Sequence, residues 1–287
     1  MEYYIVIPAH NEEDFLGQCL QSILKQSLLP KKIVVVNDHS TDGTEQLIDR
    51  FLAKNKAIMK VNTASSTAHL PGSKVVNAFG KGVAKLDEDY DFLVKLDADV
   101  VLPEHYFERI GMIFKTRPKV GIAGGFIFEQ DGNGEWHLNH PMDKDHVRGA
   151  FKAYSKTCFK AIGGLREAMG WDTVDELLAR YHGFEVHTDP ELKVKHLRPT
   201  GNAYNAKARL LQGVAMHAMR YGFLLTLIAS LKMSWKQRKP SPFFYNIKGF
   251  LFAKKQGDAY IVSREEGKFI RKFRWNNIKR KLLNTKS

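Results

Sequence analysis

Apolar and polar residues alternate along the first two hundred positions in the manner of repeated strand–helix units. Short apolar runs at residues 3–7, 33–36 and 92–96 are typical of strands buried on both faces of a parallel sheet. Between and after them, residues 15–24 and 103–115 place apolar side chains at helical spacing. Such units favour right-handed crossovers, so the pattern predicts an α/β domain with a mostly parallel sheet flanked by helices.

The pattern continues less regularly to about residue 201. Residues 119–128 are strand-like but interrupted by Gly124-Gly125, and periodicity returns over residues 150–162. Residues 172–181 are predicted to form a helix that ends before Gly183. Two short strands are expected after this helix, at residues 184–186 and 192–194. They complete a first domain of residues 1–201.

Residues 202–287 differ in character and are predicted to form a basic helical appendage. Residues 206–233 have the pattern of one long helix, whose least polar part, 221–231, is too short to span a bilayer. Aromatic residues then interleave with lysines, which is typical of a segment lying in a membrane interface. The alternative is that these helices pack on the first domain, or on another copy, and expose a solvated basic face.

The distribution of charge also distinguishes residues 202–287 from the first domain. The chain carries a net charge of +13, and from Gly201 onward 19 Lys and Arg stand against 3 Asp and Glu. The basic segment points to an anionic partner, either membrane phosphates or nucleic acid. Cys19 and Cys158 are too few for a disulfide framework, and the first strand starts without a signal-peptide pattern, so a cytoplasmic location is expected.

Two carboxylates, Asp97 and Asp99, directly follow the apolar run 92–96. Asp-x-Asp also occurs at 87/89, 89/91 and 143/145, but only in polar surroundings typical of solvated loops. Where a buried strand ends, side chains lie at the sheet edge at which open α/β folds bind ligands. Carboxylate oxygens are also hard ligands for a divalent cation, so a metal site is predicted there.

Three loops, residues 8–12, 37–44 and 97–99, follow predicted strands and should meet at this edge. They carry more carboxylates than a phosphate site normally holds, and no phosphate-binding glycine loop is present. A diphosphate bridged to the protein by a divalent metal reconciles these observations. Binding of a nucleic acid at this edge is also disfavoured, because five carboxylates would repel its phosphates. These are Glu12, Asp38, Asp42, Asp97 and Asp99.

Residues 5–12 (IVIPAHNE), 35–44 (VVNDHSTDGT) and 96–99 (LDAD) together resemble the family 2 glycosyltransferases. The resemblance covers residues 1–201 and implies a GT-A fold and an inverting transfer of a sugar from a nucleotide-sugar, most often a UDP-sugar. It implies that Pro8, Ala9 and Glu12 line the nucleotide pocket and that Asp38 faces the base. Asp97 would lie near the ribose and the diphosphate.

The resemblance also implies a metal site and cationic contacts. Asp99 would bind Mn²⁺ or Mg²⁺, and His196 would complete the metal shell. Asn77 falls where the family has an Arg-Asn pair at a helix start, but Val76 replaces the arginine. Lys74 could substitute for it, and Arg198 could neutralise the leaving diphosphate.

An inverting transfer needs a general base that takes the proton of the acceptor hydroxyl. The resemblance implies an aspartate about eleven residues before a glycine that ends a helix, which favours Asp172 and leaves Asp175 as the alternative. Asp172 could instead only cap its helix. Trp171 is expected to stack on an acceptor sugar.

Three functions remain to be distinguished. The favoured one is a metal-dependent hexosyltransferase that builds cell-surface polysaccharide on a glycan or lipid-linked acceptor, peripherally bound to the inner face of the plasma membrane. The second is a synthase that makes polyprenyl-phosphate sugars, for which a longer membrane-spanning tail would be expected. The third is a non-enzymatic α/β protein that binds nucleic acid through its tail, with affinity that falls steeply with salt.

Overall fold

The computed structural model describes residues 1–64, 72–139, 145–198 and 206–284. Within these residues, nine strands form a single sheet. The strands are β1 (Tyr3–Ala9), β2 (Lys32–Asp38), β3 (Ile58–Thr63), β4 (Phe92–Leu96), β5 (Val100–Val101), β6 (Val120–Gln130), β7 (Trp136–Leu138), β8 (Phe151–Ser155) and β9 (Glu185–His196). The helices are α1 (Leu16–Leu24), α2 (Thr44–Leu52), α3 (Ser73–Val83), α4 (Tyr106–Thr116), α5 (Lys156–Ala161), α6 (Trp171–Tyr181), α7 (Ala206–Ala218), α8 (Phe223–Gln237), α9 (Ser241–Gln256) and α10 (Arg264–Asn284).

The strand order across the sheet is β3-β2-β1-β4-β8-β6-β9-β5, with β7 paired to β6. Strand β1 pairs in parallel with β2 and β4, and β2 pairs in parallel with β3. Strands β6 and β9 are also parallel. Strands β5, β7 and β8 run antiparallel to the strands beside them. The prediction of an α/β fold with a mostly parallel sheet and flanking helices is confirmed. Buried side chains, most of them apolar, cover both faces of β1, β2 and β4, as their apolar runs indicated.

Two parts of the sheet differ from the sequence prediction. The periodicity over residues 150–162 contains strand β8, followed without a loop by α5. The two short strands expected around residues 184–194 are one strand, β9, whose pairing with β6 shifts register opposite Gly124 and Phe126. Between the pairs Gly124–Thr188 and Phe126–Lys193, β6 advances two residues and β9 advances five, so the extra residues bulge out of β9 and the glycine pair does not interrupt β6.

The tail is a bundle of four helices that packs on the first domain. The single long helix predicted over residues 206–233 is wrong, because Arg220 and Gly222 adopt positive φ and separate α7 from α8. Helices α7 and α9 cross so closely that a Cβ on Gly213 would lie 1.9 Å from the Asn246 carbonyl oxygen. The boundary predicted at residues 201–202 lies outside the described residues.

Helix α10 joins the tail to α6 of the first domain. The rings of Phe269 and Tyr181 are 5.5 Å apart, and the Arg180 guanidinium lies 5.5 Å from the centre of the Phe273 ring. Ile270 on the same helix is fully buried. The sequence analysis gave packing on the first domain as the alternative to membrane contact, and such packing is observed for part of the tail. Among the described residues, no helix has both the length and the hydropathy needed to cross a bilayer.

Candidate active site

A cavity of about 560 Å³ opens where β1, β2 and β4 end, and it collects most of the residues singled out in the sequence. The three loops meet there because parallel strands end at the same sheet edge. The cavity is lined by Pro8, Ala9, His10, Glu12, Asp38, His39, Lys74, Val75, Ala78, Asp97, Ala98, Asp99 and Arg198.

The loops that form the cavity floor are held in an unusual backbone geometry. Asn11 and His39 both have a φ of 54°, a left-handed conformation that is uncommon outside glycine and often found at functional sites. The Nδ1 atom of His10 lies 2.7 Å from the carbonyl oxygen of Asp38 and joins the first two loops. His10 and His39 were given no role from the sequence, although they lie inside the two motifs, directly after their strands.

Asp99 and His196 lie against each other at one side of the cavity. His196 ends β9, where it pairs with Glu129 of β6 and with Val100 of β5, the residue after Asp99. Its Nε2 atom is 3.4 Å from Asp99 Oδ1, and its Nδ1 atom is 3.2 Å from Glu129 Oε1. Burial disfavours charge on both groups, but their mutual attraction lowers the pKa of Asp99 and raises that of His196.

The surroundings of Asp99 fit a divalent metal ion. Its Oδ1 atom is buried and accepts no hydrogen bond from the described residues. A histidine that ligates a metal usually has its second ring nitrogen held by a carboxylate, and Glu129 occupies that position for His196. An oxygen and an imidazole nitrogen together suit Mn²⁺ better than Mg²⁺.

Other carboxylate groups in the chain have ordinary structural roles. Asp131, Glu135 and His137 form an exposed cluster in the β6–β7 hairpin, where Asp131 accepts hydrogen bonds from the turn backbone. Asp87 and Asp89 bind the side chains of Lys32 and Lys31 on the surface. Asp143 lies outside the described residues.

Arg198 bridges two of the cavity carboxylates. Its Nη2 atom is 2.5 Å from Glu12 Oε2, and its Nε atom is 3.9 Å from Asp99 Oδ2. Burial raises the pKa of Glu12 to about 7, although the guanidinium opposes this shift. About half of the Arg198 side chain is exposed, so a bound anion can reach it.

Helix α3 places Lys74 at the cavity and directs the side chain of Asn77 towards Glu167. Lys74, in the first turn of α3, lines the cavity. Asn77 is not among the lining residues, and its amide donates a 3.2 Å hydrogen bond to Glu167. The predicted contact of Asn77 with the donor therefore has no geometric support.

A buried lysine connects the cavity to the amino-terminal end of α6. Lys95 on β4 is 2% exposed, and its ammonium group contacts Asp97 and donates a 2.9 Å hydrogen bond to the Gly149 carbonyl. A Cβ on Gly149 would lie 3.3 Å from the Asp172 Cβ, so α6 approaches the cavity at this point. Asp172 is half-buried, and its carboxylate accepts no hydrogen bond from the described residues.

Asp175 occupies a different environment, although it lies one turn further along α6. It is 2% exposed, and Lys152 donates to both of its carboxylate oxygens at 2.8 and 3.0 Å. Tyr154 donates a further hydrogen bond of 2.5 Å. Burial raises the pKa of Asp175 to about 7, although Lys152 opposes the shift. This carboxylate holds α6 to β8 and is out of reach of an acceptor hydroxyl, so of the two candidate bases only Asp172 is accessible.

Trp171 does not present a free ring to an acceptor, contrary to the sequence expectation. The side chain is 7% exposed, and the ammonium groups of Lys95 and Lys152 lie 5.1 and 5.8 Å from its ring. Lys95 and Lys152 face each other on the paired strands β4 and β8. Trp171 therefore separates two buried cations and fixes the start of α6. The sequence signal for this cluster of Lys95, Lys152 and Trp171 was Lys95, a lysine within the apolar run of β4.

Comparisons with known proteins agree with this architecture. A family model described as glycosyl transferase family 2 matches residues 4–167. The poly(ribitol-phosphate) beta-N-acetylglucosaminyltransferase TarS of Staphylococcus aureus is 31% identical over 116 residues, 37% of this chain and 20% of TarS. Glycosyltransferase GlyG of Streptococcus pneumoniae is 24% identical over 131 residues, 45% of this chain and 41% of GlyG. The chain thus matches less than half the length of these relatives.

Solved structures share the fold over nearly the whole chain. The mannosyltransferase PcManGT from Pyrobaculum calidifontis, in complex with GDP-Man and Mn²⁺, has a TM-score of 0.60 and 16% identity, covering 94% of this chain and 78% of its own. A TarS segment in complex with UDP-GlcNAc has a TM-score of 0.57 and 18% identity, covering 93% and 77%. Because the family model spans more than half of the sequence, this chain belongs to glycosyl transferase family 2.

Proposed function

We propose that the protein transfers a sugar, with inversion, from a nucleotide-sugar bound in the strand-end cavity to a hydroxyl of a glycan or lipid-linked glycan. The observation that carries this proposal is the Asp99–His196 pair, buried at the edge of a cavity that also contains Asp38, Asp97 and Arg198. Two structural neighbours contain the nucleotide-sugars UDP-GlcNAc and GDP-Man. A UDP-sugar is the favoured donor.

The donor is positioned by the loops that end the three strands. Pro8 and Ala9 line the nucleotide pocket, and Asp38 faces the base. Asp97, held by Lys95, contacts the ribose and the diphosphate. A divalent ion at Asp99 and His196 would supply Lewis-acid stabilisation to the diphosphate leaving group. Arg198 exchanges its contact with Glu12 for the developing phosphate charge, and Lys74 contributes a second cation.

Asp172 takes the proton of the acceptor hydroxyl as the hydroxyl oxygen attacks the anomeric carbon. The bond from that carbon to the diphosphate oxygen breaks on the opposite face, so a single displacement inverts the configuration. Asp172 suits this role because its carboxylate is accessible and α6 brings it close to Gly149, whose carbonyl binds Lys95.

The acceptor is proposed to belong to a cell-surface polysaccharide. Relatives of this chain include TarS and the hyaluronan synthase of Pasteurella multocida, which is 25% identical over 126 residues. A polyprenyl-phosphate acceptor without a glycan is the second candidate. Nucleic acid is not proposed as a partner, because the cavity is rich in carboxylates.

The proposal is tested by hydrolysis of a panel of UDP-, GDP- and dTDP-sugars in the presence of Mn²⁺. Glycosyltransferases release sugar to water slowly when no acceptor is present, so we expect one donor to be cleaved and cleavage to stop when EDTA is added. If no nucleotide-sugar in the panel is either bound or cleaved, the proposed function is wrong.

We also propose that the tail holds the protein on the inner face of the plasma membrane. Leu224, Leu231 and Trp235 form an exposed apolar stripe on α8, and Trp235 is 85% exposed. Phe244 and Phe252 are exposed on α9, near Lys248 and Lys255. Apolar side chains among lysines suit the boundary between lipid chains and anionic headgroups.

Sedimentation with vesicles of phosphatidylcholine and phosphatidylglycerol tests this contact. The wild type is expected to sediment at low salt, and Trp235→Asp to weaken partitioning about tenfold, because a large apolar side chain is replaced by a charge. Met112→Asp is the matched control, since Met112 is 58% exposed on α4, outside the tail. A wild type that stays in the supernatant, or equal loss in both variants, would contradict the proposal.

A further inference from the structure

A second cavity, of about 590 Å³, lies between the start of α6 and the tail helices. Its volume falls within the range of roughly 300–1,000 Å³ that is usual for ligand sites. It is lined by Gly170, Thr173, Gln212, Met216, Met219, Tyr221, Leu225, Ile228, Ala229, Lys232, Met233, Lys236, Arg274, Asn277, Ile278 and Lys281.

The inner wall of this tail cavity is apolar and adaptable. Helix α8 contributes Leu225, Ile228 and Met233, which share one helical face. Met216 on α7 and Met219, directly after α7, add flexible thioether side chains that fit irregular apolar ligands. A hydrocarbon chain suits such a wall better than a sugar, because a sugar would need hydrogen-bonding partners throughout.

The polar part of the lining is cationic. Lys232, Lys236, Arg274 and Lys281 line the cavity, and no carboxylate is present among the described residues that do so. The donor cavity differs sharply, since four of its lining residues are acidic. Arg274 is held in place, because its Nε donates a 2.9 Å hydrogen bond to the Tyr221 hydroxyl. Cations beside an apolar wall, one of them held in place, complement an amphiphile with a phosphate headgroup.

The position of the tail cavity connects it to the proposed reaction. Gly170 and Thr173, which line it, stand on either side of Asp172 in the sequence. From Asp172 the contacts continue through Gly149 and Lys95 to Asp97 in the donor cavity. The proposed base thus lies between a cavity suited to a donor and one suited to an anionic lipid.

We propose that the tail cavity binds the phosphate and the first part of the hydrocarbon chain of a lipid that carries the acceptor sugar. This inference rests on the proposed glycosyl transfer and assigns its acceptor class. The lipid phosphate contacts Lys236 and Arg274, the chain lies against α7 and α8, and the attached sugar extends towards Asp172. The exposed Leu231 and Trp235 flank the cavity-lining face of α8, so a lipid in a membrane under the tail can enter it.

Calorimetric titration with decyl phosphate, kept below its micelle-forming concentration, tests this site. Saturable binding to the wild type is expected, together with much weaker binding of decyltrimethylammonium, which lacks the anionic headgroup, and of inorganic phosphate, which lacks the chain. Ile228→Asp and Lys236→Glu should each weaken binding at least about tenfold, since each removes one of the two complementary features.

Two control variants alter the tail outside the cavity. Leu251→Asp changes an exposed position of α9, and Lys239→Glu removes a cation beyond the end of α8, so both should bind decyl phosphate like the wild type. Lys236 is exposed, so Lys236→Glu still carries the test if Ile228→Asp fails to fold. Absence of binding to the wild type, or equal weakening by the controls, which would indicate surface adsorption, overturns the inference.

The donor-hydrolysis assay on the same preparations separates this inference from the function on which it rests. Nucleotide-sugar cleavage without decyl phosphate binding would reject the lipid site alone. Decyl phosphate binding without binding or cleavage of any nucleotide-sugar would reject the proposed transfer, and with it the acceptor role of the cavity.

Discussion

Replacing Asp172 by Asn is expected to lower sugar transfer by a factor of about 10²–10⁴ while leaving donor binding unchanged. A positioned general base contributes about this much to a proton-transfer step, and an amide of similar shape cannot accept the proton. Because Asp172 does not line the donor cavity, the affinity for the nucleotide-sugar should not depend on its charge. The measurement is the rate of transfer at saturating donor, with donor affinity determined by calorimetry.

Asp175→Asn is the matched comparison on the same helix. It leaves the buried ammonium group of Lys152 without its main carboxylate partner, so we expect about 3 kcal/mol lower stability, seen as a lower melting temperature. Transfer by the protein that remains folded at low temperature should persist. If Asp175→Asn abolishes transfer without loss of stability and Asp172→Asn does not, the assignment of the base is wrong.

Replacing Asp99 by Ala is expected to remove Mn²⁺-dependent donor binding, with affinity lowered at least about a hundredfold. The carboxylate supplies the anionic ligand of the proposed metal site, and its loss leaves one imidazole, which cannot hold a divalent ion alone. His196→Ala should have a smaller effect in the same direction, because it removes a neutral ligand. The measurement is calorimetric titration with the nucleoside diphosphate, with and without Mn²⁺.

Asp131→Ala provides the control for this metal prediction. Asp131 belongs to the exposed hairpin cluster with Glu135 and His137, so its loss should leave Mn²⁺-dependent nucleotide binding at the wild-type level. An Asp99→Ala protein that binds nucleotide with undiminished Mn²⁺ dependence would contradict the role of Asp99.

The central strands and the cavity at their carboxyl ends were predictable because they depend on local patterns. The apolar runs of β1, β2 and β4 indicate burial on both faces, and parallel topology then places the loops after them at one edge. Pro8, Glu12, Asp38 and Asp97 follow from that single argument. The side-chain direction of Asn77 was not predictable, because it depends on a hydrogen bond to Glu167 that no local pattern shows.

The surroundings of α6 were not predictable, because they depend on long-range pairing. Lys95 and Lys152 meet only because β8 inserts antiparallel beside β4, and β8 has no distinct strand pattern. Once both lysines are buried, Asp175 is required as a partner and Trp171 as a spacer. Two aspartates that look equivalent in sequence therefore have different environments.

The structure of the tail could also be predicted only in part from the sequence. Its charge and aromatic content were evident in the sequence, but its helices break at Arg220 and Gly222 and fold back on α6. That packing creates the cationic, apolar cavity beside Asp172, which no single segment of the sequence indicates.

The central claim is that Asp99 and His196 form the metal site of a nucleotide-sugar cavity. It is tested most directly by the anomalous scattering of Mn²⁺ in crystals grown with a nucleoside diphosphate. We predict an anomalous peak within bonding distance of the Asp99 carboxylate and of His196 Nε2, in contact with the diphosphate. A peak found only at Asp131, Glu135 and His137, or a nucleotide bound in the cavity without any metal peak beside Asp99, would contradict the claim.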